Sequence, residues 1–434
     1  MKNAELLTGA ELTLVPEKPV AGGSMLARHD GRVVLVRGAI PGERVRARVE
    51  RVTRDVAHAV TIDVLEPQAD RRAPPVDPAC GGNAFAHIAY ARQLTLKAEI
   101  VADALARLAR LRLERPVPVT PSPELGYRMR ARFHASGGRA GFHREGTHEL
   151  CDPETSGQLQ PAAVACLHAI VRRLTEEGGH PREVAGIELS ENIDGSERAA
   201  HVEFRGHPPG EPLARMTGIG GLTGLSWSAA SDPRTHVVAG SPYVVDAAPA
   251  PLRRHVRSFF QANRYLVSDL AGRVVTLVPE GRPTLDLYAG VGLFATALAS
   301  TRDDVVIAVE GDATSALDLE ANAACCARRF TTHHRSVEDY LGGSQDLRHL
   351  TVVLDPPRTG LSRDVARALV RHSPARMVYV SCDVATFARD VRIFVQAGYG
   401  LAHLEAFDLF PNTAHVETVA VLEREKESGV VLPQ

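Results

Sequence analysis

The chain has 434 residues, 44% of them hydrophobic, with 50 Lys and Arg against 52 Asp and Glu for a formal net charge of -2. Such a length suggests roughly two to four domains, and the composition is that of a globular protein, which excludes collagen-like and low-complexity chains. No apolar run would span a bilayer, Met1 to Pro16 lacks a leader pattern, and six scattered cysteines form no C-x-x-C pair or disulfide framework, so the expectation is a cytoplasmic protein without a membrane.

Residues 1–67 read as a small barrel of about five strands. Leu12 to Val15, Arg32 to Val36, Val45 to Val52 and Ala57 to Val64 carry the strand signal, with turns at Gly22-Gly23, Asp30-Gly31 and Pro41-Gly42. Eight arginines between Arg28 and Arg54 face only Asp30, Glu43 and Glu50 in that span. A charge run is usually a solvated face, yet clustered arginines on a small barrel suit phosphate contact, so RNA is the expected partner.

A proline-rich linker, Gln68 to Pro78, opens an α+β unit expected over 68–250. Tyr90 to about Leu113 reads as one long helix, with Leu94, Ile100, Val101, Leu105, Leu108 and Leu111 at helical spacing. Strands follow at Met129 to His134, Ile187 to Glu191, His201 to Phe204 and His236 to Val238, with a helix at Ala162 to Glu177. His143, His148, Glu149 and Cys151 lie close together but at no zinc-binding spacing, and no metal site is expected.

From 251 to 434 the pattern changes to alternating helices and parallel-type strands, that is, a doubly wound α/β domain. A helix is expected at Pro251 to Leu270, with strands at Pro283 to Leu287, Val305 to Val309, Thr351 to Leu354 and Met377 to Val380. An antiparallel pair, Gly400 to Phe407 and Thr418 to Leu422, finishes it.

Leu285 to Gly292 is a strand entering a glycine turn, where Gly290 and Gly292 let a ligand approach the backbone. The third glycine of a dinucleotide fingerprint and the lysine of a P-loop are both missing. Glu310 ends the next strand, where a carboxylate accepts ribose hydroxyls. The ordered pair D-x-Y-x-G-x-G and V-E-G-D resembles the first two motifs of class I S-adenosylmethionine methyltransferases.

Asp355-Pro356-Pro357-Arg358 then ends a strand in an acid and a rigid turn. Cys382 follows strand Met377 to Val380, and His415-Val416-Glu417 lies near the C-terminus. Alone, Cys382 reads as a small buried hydrophobe and Glu417 as a surface charge. Together they suit pyrimidine C5 methylation, because C5 attacks a methylsulfonium only after a thiolate adds at C6. A base must afterwards take the C5 proton.

These motifs together resemble the RNA uracil-C5 methyltransferases. Ala27 to Val36 and Gly38 to Glu43 resemble the TRAM domain, an RNA-binding barrel, which points to the branch acting on large-subunit ribosomal RNA. The resemblance implies S-adenosylmethionine as cofactor, with Gln261, Tyr288, Gly290, Glu310 and Asp355 contacting it. It implies Cys382 as nucleophile and Glu417 as proton acceptor, acting on RNA, more readily ribosomal than transfer RNA, as a monomer. That branch commonly holds an iron–sulfur cluster on four cysteines; here Pro74, Asn83 and Ser156 stand in three of those places, so no cluster is expected. Transfer-RNA uracil methylation, cytosine-C5 methylation and a non-catalytic RNA-binding module are the alternatives. No cysteine follows Pro356-Pro357, where cytosine enzymes carry theirs.

Overall fold

A computed structural model of the chain describes residues 6–176, 183–206, 218–247, 250–326, 329–343 and 346–424. Strands β1 (Glu11–Leu14), β2 (Lys18–Pro19), β3 (Met25–His29), β4 (Arg32–Arg37), β5 (Arg44–Val52) and β6 (Val56–Glu66) form one sheet, in the order β1-β5-β6-β4-β3-β2. Along β5, exposed Arg44, Arg46 and Arg48 alternate with buried Val45, Ala47 and Val49, the two-residue period of a half-buried strand. The buried face packs on Leu12, Val34, Val36 and Ala57. Bulges between β5 and β6 add the bend that rolls the sheet. Six strands stand where five were expected, since two-residue β2 leaves no alternation to read.

The arginine face is less bare than the sequence span suggests. Glu66 pairs with Arg44 at 2.9 Å, Asp63 with Arg46 at 3.4 Å and Glu17 with Arg28 at 3.8 Å, all from outside the Arg28–Arg54 stretch. Exposed pairs of this kind stabilise little, but they reduce the charge left for a partner.

Helix α1 (Tyr90–Ala104) runs into a π-helical turn, Leu105–Ala109, and ends there rather than at Leu113 because Arg110 takes a left-handed conformation (φ 58°). This segment and β7 (Val119–Thr120), grouped above with 68–250, pack on the C-terminal sheet: Ile100, Val101 and Leu105 share a core with Phe387, Val391 and Phe394.

The central sheet comprises β8 (Arg130–Ser136), β9 (Arg139–His143), β10 (Leu150–Cys151), β11 (Val184–Glu191), β12 (Arg198–Phe204), β13 (Gly224–Ala229) and β14 (Asp232–Gly240). Its order is β10-β9-β8-β11-β12-β13-β14, and the short α2 (Pro153–Ser156) follows β10. Helix α3 (Pro161–Glu176) buries Ala163, Leu167, Ile170 and Leu174 against Phe133, Ile187 and Val202. Glu177, the expected last residue of that helix, lies outside the described residues.

Cys80 and Cys151 are joined in a buried disulfide, which corrects the reading that the cysteines form no disulfide framework. The loop carrying Cys80 lies along β9, with Gly81 N donating to His143 O at 2.9 Å, and Cys151 pairs with Phe142 on the same strand. Spatial neighbours separated by 71 residues leave no signal in spacing.

No helix spans Pro251 to Leu270. Strands β15 (Tyr243–Asp246) and β16 (Leu252–His255) pair instead, and helix α4 covers Val267–Leu277. Arg254 decides the matter: fully buried, it bonds Asp246 Oδ2 at 2.7 Å and Ser190 Oγ at 2.5 Å. An extended backbone delivers its guanidinium to those partners across the pair. Asn263 Oδ1 then accepts from Tyr265 N and Leu266 N, turning the chain into α4.

The C-terminal domain alternates β17 (Thr284–Leu287), α5 (Leu293–Thr301), β18 (Val306–Glu310), α6 (Ala313–Cys325) and β19 (Phe330–His334). It continues through α7 (Val337–Leu341), β20 (Thr351–Leu354), α8 (Arg363–His372), β21 (Arg376–Ser381), α9 (Val384–Gln396), β22 (Tyr399–Phe407) and β23 (Glu417–Arg424). The sheet order is β19-β18-β17-β20-β21-β23-β22-β7, parallel from β19 to β21 and antiparallel at β23. The order reverses between β17 and β20, and a ligand crevice opens outside the carboxyl ends at such a point. Among the described residues no helix is long and apolar enough to cross a membrane.

Candidate active site

The carboxyl edge of that sheet opens onto a cavity of about 640 Å³, and all seven residues singled out in the sequence line it: Gln261, Tyr288, Gly290, Glu310, Asp355, Cys382 and Glu417. Its volume lies within the range of small-ligand sites.

The donor side is built by the turn after β17. Tyr288, Gly290 and Gly292 all have positive φ, which doubles the chain back before α5. At Gly292 the left-handed backbone (φ 94°) favours glycine, and a Cβ there would sit 2.7 Å from Leu319 Cδ1, which would have to shift. A Cβ on Gly290 would meet nothing within 4 Å; that open side faces the cavity. Glu310 Oε2 accepts from Gly290 N at 2.7 Å and its Oε1 from Asp312 N at 2.6 Å, fixing the carboxylate beside the turn. Gln261 Nε2 donates to Asp355 Oδ2 at 3.2 Å, tying the segment before α4 to the end of β20.

The acceptor side is set by strand register. Ser381, the last residue of β21, pairs with Thr418 of β23, so Cys382 and Glu417 are the next residues out from that pair, and both line the cavity. Glu417 is buried, and its Oε1 has no hydrogen-bond partner. Burial and neighbouring Asp355 raise its carboxyl well above the usual range, partly offset by Arg358. Burial likewise lifts Asp355 to about 7. The Cys382 thiol is pushed up to about 12 by burial, then by Glu417 and Asp355. A thiol and a buried carboxyl group in one cavity are the two groups that addition followed by proton removal calls for.

The loop after Asp355 is fastened to α9. Buried Asp390 accepts from Tyr379 Oη and Leu361 N, both at 2.8 Å, and Arg389 donates to the carbonyls of Thr359 and Leu361. Asp383 caps α9 by accepting from Thr386 N at 2.8 Å, so its part is structural.

Arg130 and Arg257 escaped the sequence reading. Both line the cavity, with Arg130 donating to Glu188 Oε2 at 2.9 Å and to Arg257 O at 3.3 Å. An arginine alternating along a strand looks like any solvated face, so no sequence signal distinguished it. Exposed Phe259 at the cavity wall likewise carried none.

A model of the family described as tRNA (Uracil-5-)-methyltransferase matches residues 251–425, and one of the TRAM domain matches residues 12–62. The 23S rRNA (uracil(1939)-C(5))-methyltransferase of Halomonas elongata is 32% identical over 422 residues, covering 91% of this chain and 85% of that protein. The chain belongs to the RNA uracil-C5 methyltransferases. An RNA methyltransferase of Thermosynechococcus vestitus is 31% identical, covering 95% of this chain and 98% of its own. Among solved structures, the tRNA (uracil-54, C5)-methyltransferase of Pyrococcus abyssi, in complex with S-adenosyl-L-homocysteine, superposes with a TM-score of 0.75 at 25% identity, covering 95% of this chain and all of that one.

As a member of this family the protein is an S-adenosylmethionine-dependent RNA methyltransferase. The cavity fits that cofactor: Glu310 lines it at the end of β18, where a carboxylate can accept ribose hydroxyls, and open space lies over Gly290. A four-thiolate cluster does not fit this chain. Cys80 and Cys151 are spent on each other, and Asn83 Nδ2 donates to the carbonyls of Asp77 and Ser156. Among the described residues no group of three or more His, Cys, Asp and Glu is placed to hold a metal.

Proposed function

We propose that this chain forms 5-methyluridine in large-subunit ribosomal RNA in the cytoplasm, with Cys382 as nucleophile and Glu417 as proton acceptor. One observation carries the chemistry: Cys382 and Glu417 line one cavity, each next out from the last residues of the β21–β23 pair, with Glu417 buried and its Oε1 unpartnered. The bound cofactor supplies an electrophilic methyl group.

The Cys382 thiolate, its proton already lost, adds to uracil C6, and the electron pair of the C5–C6 double bond moves into an enolate. Carbon C5 takes the methyl group, leaving a saturated adduct that still carries its C5 proton. Glu417 accepts that proton, the C5–C6 double bond re-forms and the C6–S bond breaks, returning the thiolate. Burial raises the proton affinity of Glu417, the direction a proton acceptor needs. Gln261, Tyr288, Gly290, Glu310 and Asp355 hold the cofactor, Asp355 also bordering the base.

The target uridine leaves its stack to reach a cavity this enclosed, which favours a loop or single-stranded segment. Arginines of the barrel, Arg48 among them, supply phosphate contacts. The preference for ribosomal RNA rests on the barrel and on the likeness to the Halomonas elongata enzyme; the Pyrococcus abyssi likeness supports transfer RNA as the second reading. The three units are taken as 1–67, 68–250 and 251–434, acting as a monomer.

The test is methyl transfer from labelled S-adenosylmethionine to separate, unmodified ribosomal and transfer RNA, followed by nucleoside digestion. Label in 5-methyluridine from ribosomal RNA is expected. The same label only from transfer RNA exchanges the substrate, and label in 5-methylcytidine overturns the base assignment.

A further inference from the structure

The side chain of Glu417 has no hydrogen bond to steady its Oε1, so its aim comes from the backbone on either side. On one side is β23. On the other is the loop 408–416: Asn263 Nδ2 donates to Leu409 O at 3.1 Å at its start, and the bonds that hold Asn412 come from the N-terminal part of the chain.

Asn412, five residues before Glu417, holds a left-handed backbone (φ 63°). It forms a reciprocal amide pair with buried Gln93 of α1. Asn412 N donates to Gln93 Oε1 and Gln93 Nε2 donates to Asn412 Oδ1, both at 2.9 Å. Arg72 Nη2 donates to the same Oδ1 at 3.1 Å, and Phe85 N donates to Asn412 O at 2.7 Å. The backbone N–H, the carbonyl and the side-chain oxygen of one residue are therefore all held by the segment 72–93. At the start of the loop, buried Lys97 bonds the Asp408 carboxylate and donates to Phe410 O at 3.0 Å. The barrel also reaches this loop: Ala414 packs against a cluster that includes Met25 and Ile40.

Buried amides are costly to strand, so this knot selects one loop conformation. We propose that Asn412, gripped by Gln93 and Arg72, is a positioning residue for Glu417. The linker and α1 thereby set the proton-removal step from outside the methyltransferase domain. The inference rests on the reading of Glu417 as the proton acceptor.

A misaimed acceptor slows elimination but leaves addition and methylation in place, so methylated RNA stays bonded to Cys382. That signature separates positioning from general loss of structure. Asn412→Gly keeps the left-handed backbone and removes the Oδ1 acceptor; Asn412→Asp keeps the acceptor. Gln93→Met, close in volume, removes both reciprocal bonds from the other side and serves if the glycine variant does not fold. Each is assayed for turnover and for covalent adduct on a denaturing gel, beside Glu417→Gln.

Asn412→Gly is expected to lose about ten- to a hundredfold in kcat with KM for RNA changed less than about threefold. Adduct accumulates as in Glu417→Gln, and Asn412→Asp restores turnover. Unchanged turnover, or turnover lost without adduct while Glu417→Gln accumulates it, overturns the inference. Absence of adduct in Glu417→Gln itself overturns the reading of Glu417 and the inference with it.

Discussion

Cys382 and Glu417 both line the cavity, Cys382 as the residue directly after β21 and Glu417 as the first of β23, each next out from the Ser381–Thr418 pair. A one-residue slip of that register would turn Glu417 to the other face of the sheet.

Replacing Cys382 with Ala removes the addition step and leaves the cavity walls in place. Turnover is expected to fall by at least about a thousandfold, while the affinities for cofactor and RNA stay within about threefold of the parent. Single-turnover methyl transfer and equilibrium binding check both halves; methylation persisting in the variant contradicts the covalent route.

The thiol lies high, at about 12, and is held there by burial and then by Glu417 and Asp355. Thiolate is therefore scarce at neutral pH. The rate of adduct formation is expected to climb as pH rises from about 6 to about 9. A flat profile over that range contradicts the electrostatic picture of the site.

Asp355 makes a separate pH prediction. Its carboxyl is raised from 3.8 to about 7 by burial, so the folded protein holds this proton longer than the unfolded chain. The stability tied to that proton is full below pH 3.8 and is lost as pH rises through about 7. Asp355→Asn cannot ionise, so its melting temperature relative to the parent should improve more at pH 8 than at pH 4, as read by thermal melts. An equal difference at both pH values contradicts burial as the cause.

The glycines of the donor turn should respond differently. Gly292→Ala forces a Cβ against Leu319 in a left-handed backbone (φ 94°) and is expected to destabilise by roughly 1–3 kcal/mol. Gly290→Ala also carries left-handed strain (φ 58°) but meets no protein atom, so it is expected to destabilise less and, with its methyl group in the cavity, to raise the cofactor Kd. Thermal melts and cofactor titration of the two variants distinguish these outcomes.

Much of this site was legible because each of its motifs is local. A strand, a glycine turn and an acid are contiguous in 285–292 and 307–312, and the fold needs them contiguous. What stayed hidden depends on distant partners. Strand β16 looked helical because the reason for its extended form, the bonds from Arg254 to Asp246 and Ser190, lies on other strands. The Cys80–Cys151 pairing and the place of Arg130 in the cavity wall are equally non-local. The acids facing the barrel arginines were undercounted because Glu66 and Glu17 come from neighbouring strands and loops.

RNA holding by the barrel carries a salt signature. Removing Arg48 and Arg54 together is expected to weaken RNA binding and to flatten the slope of log K against log salt by roughly 0.7 for each phosphate no longer neutralised. An unchanged slope would place the RNA on another face.

The most direct measurement uses RNA carrying 5-fluorouridine, whose C5 fluorine cannot be removed as a proton after methyl transfer. With S-adenosylmethionine present, a denaturation-stable protein–RNA adduct should form, and mass spectrometry of the digested complex should place the nucleotide on Cys382. A bond at any other residue, or none while ordinary uridine is methylated, contradicts the Cys382–Glu417 account.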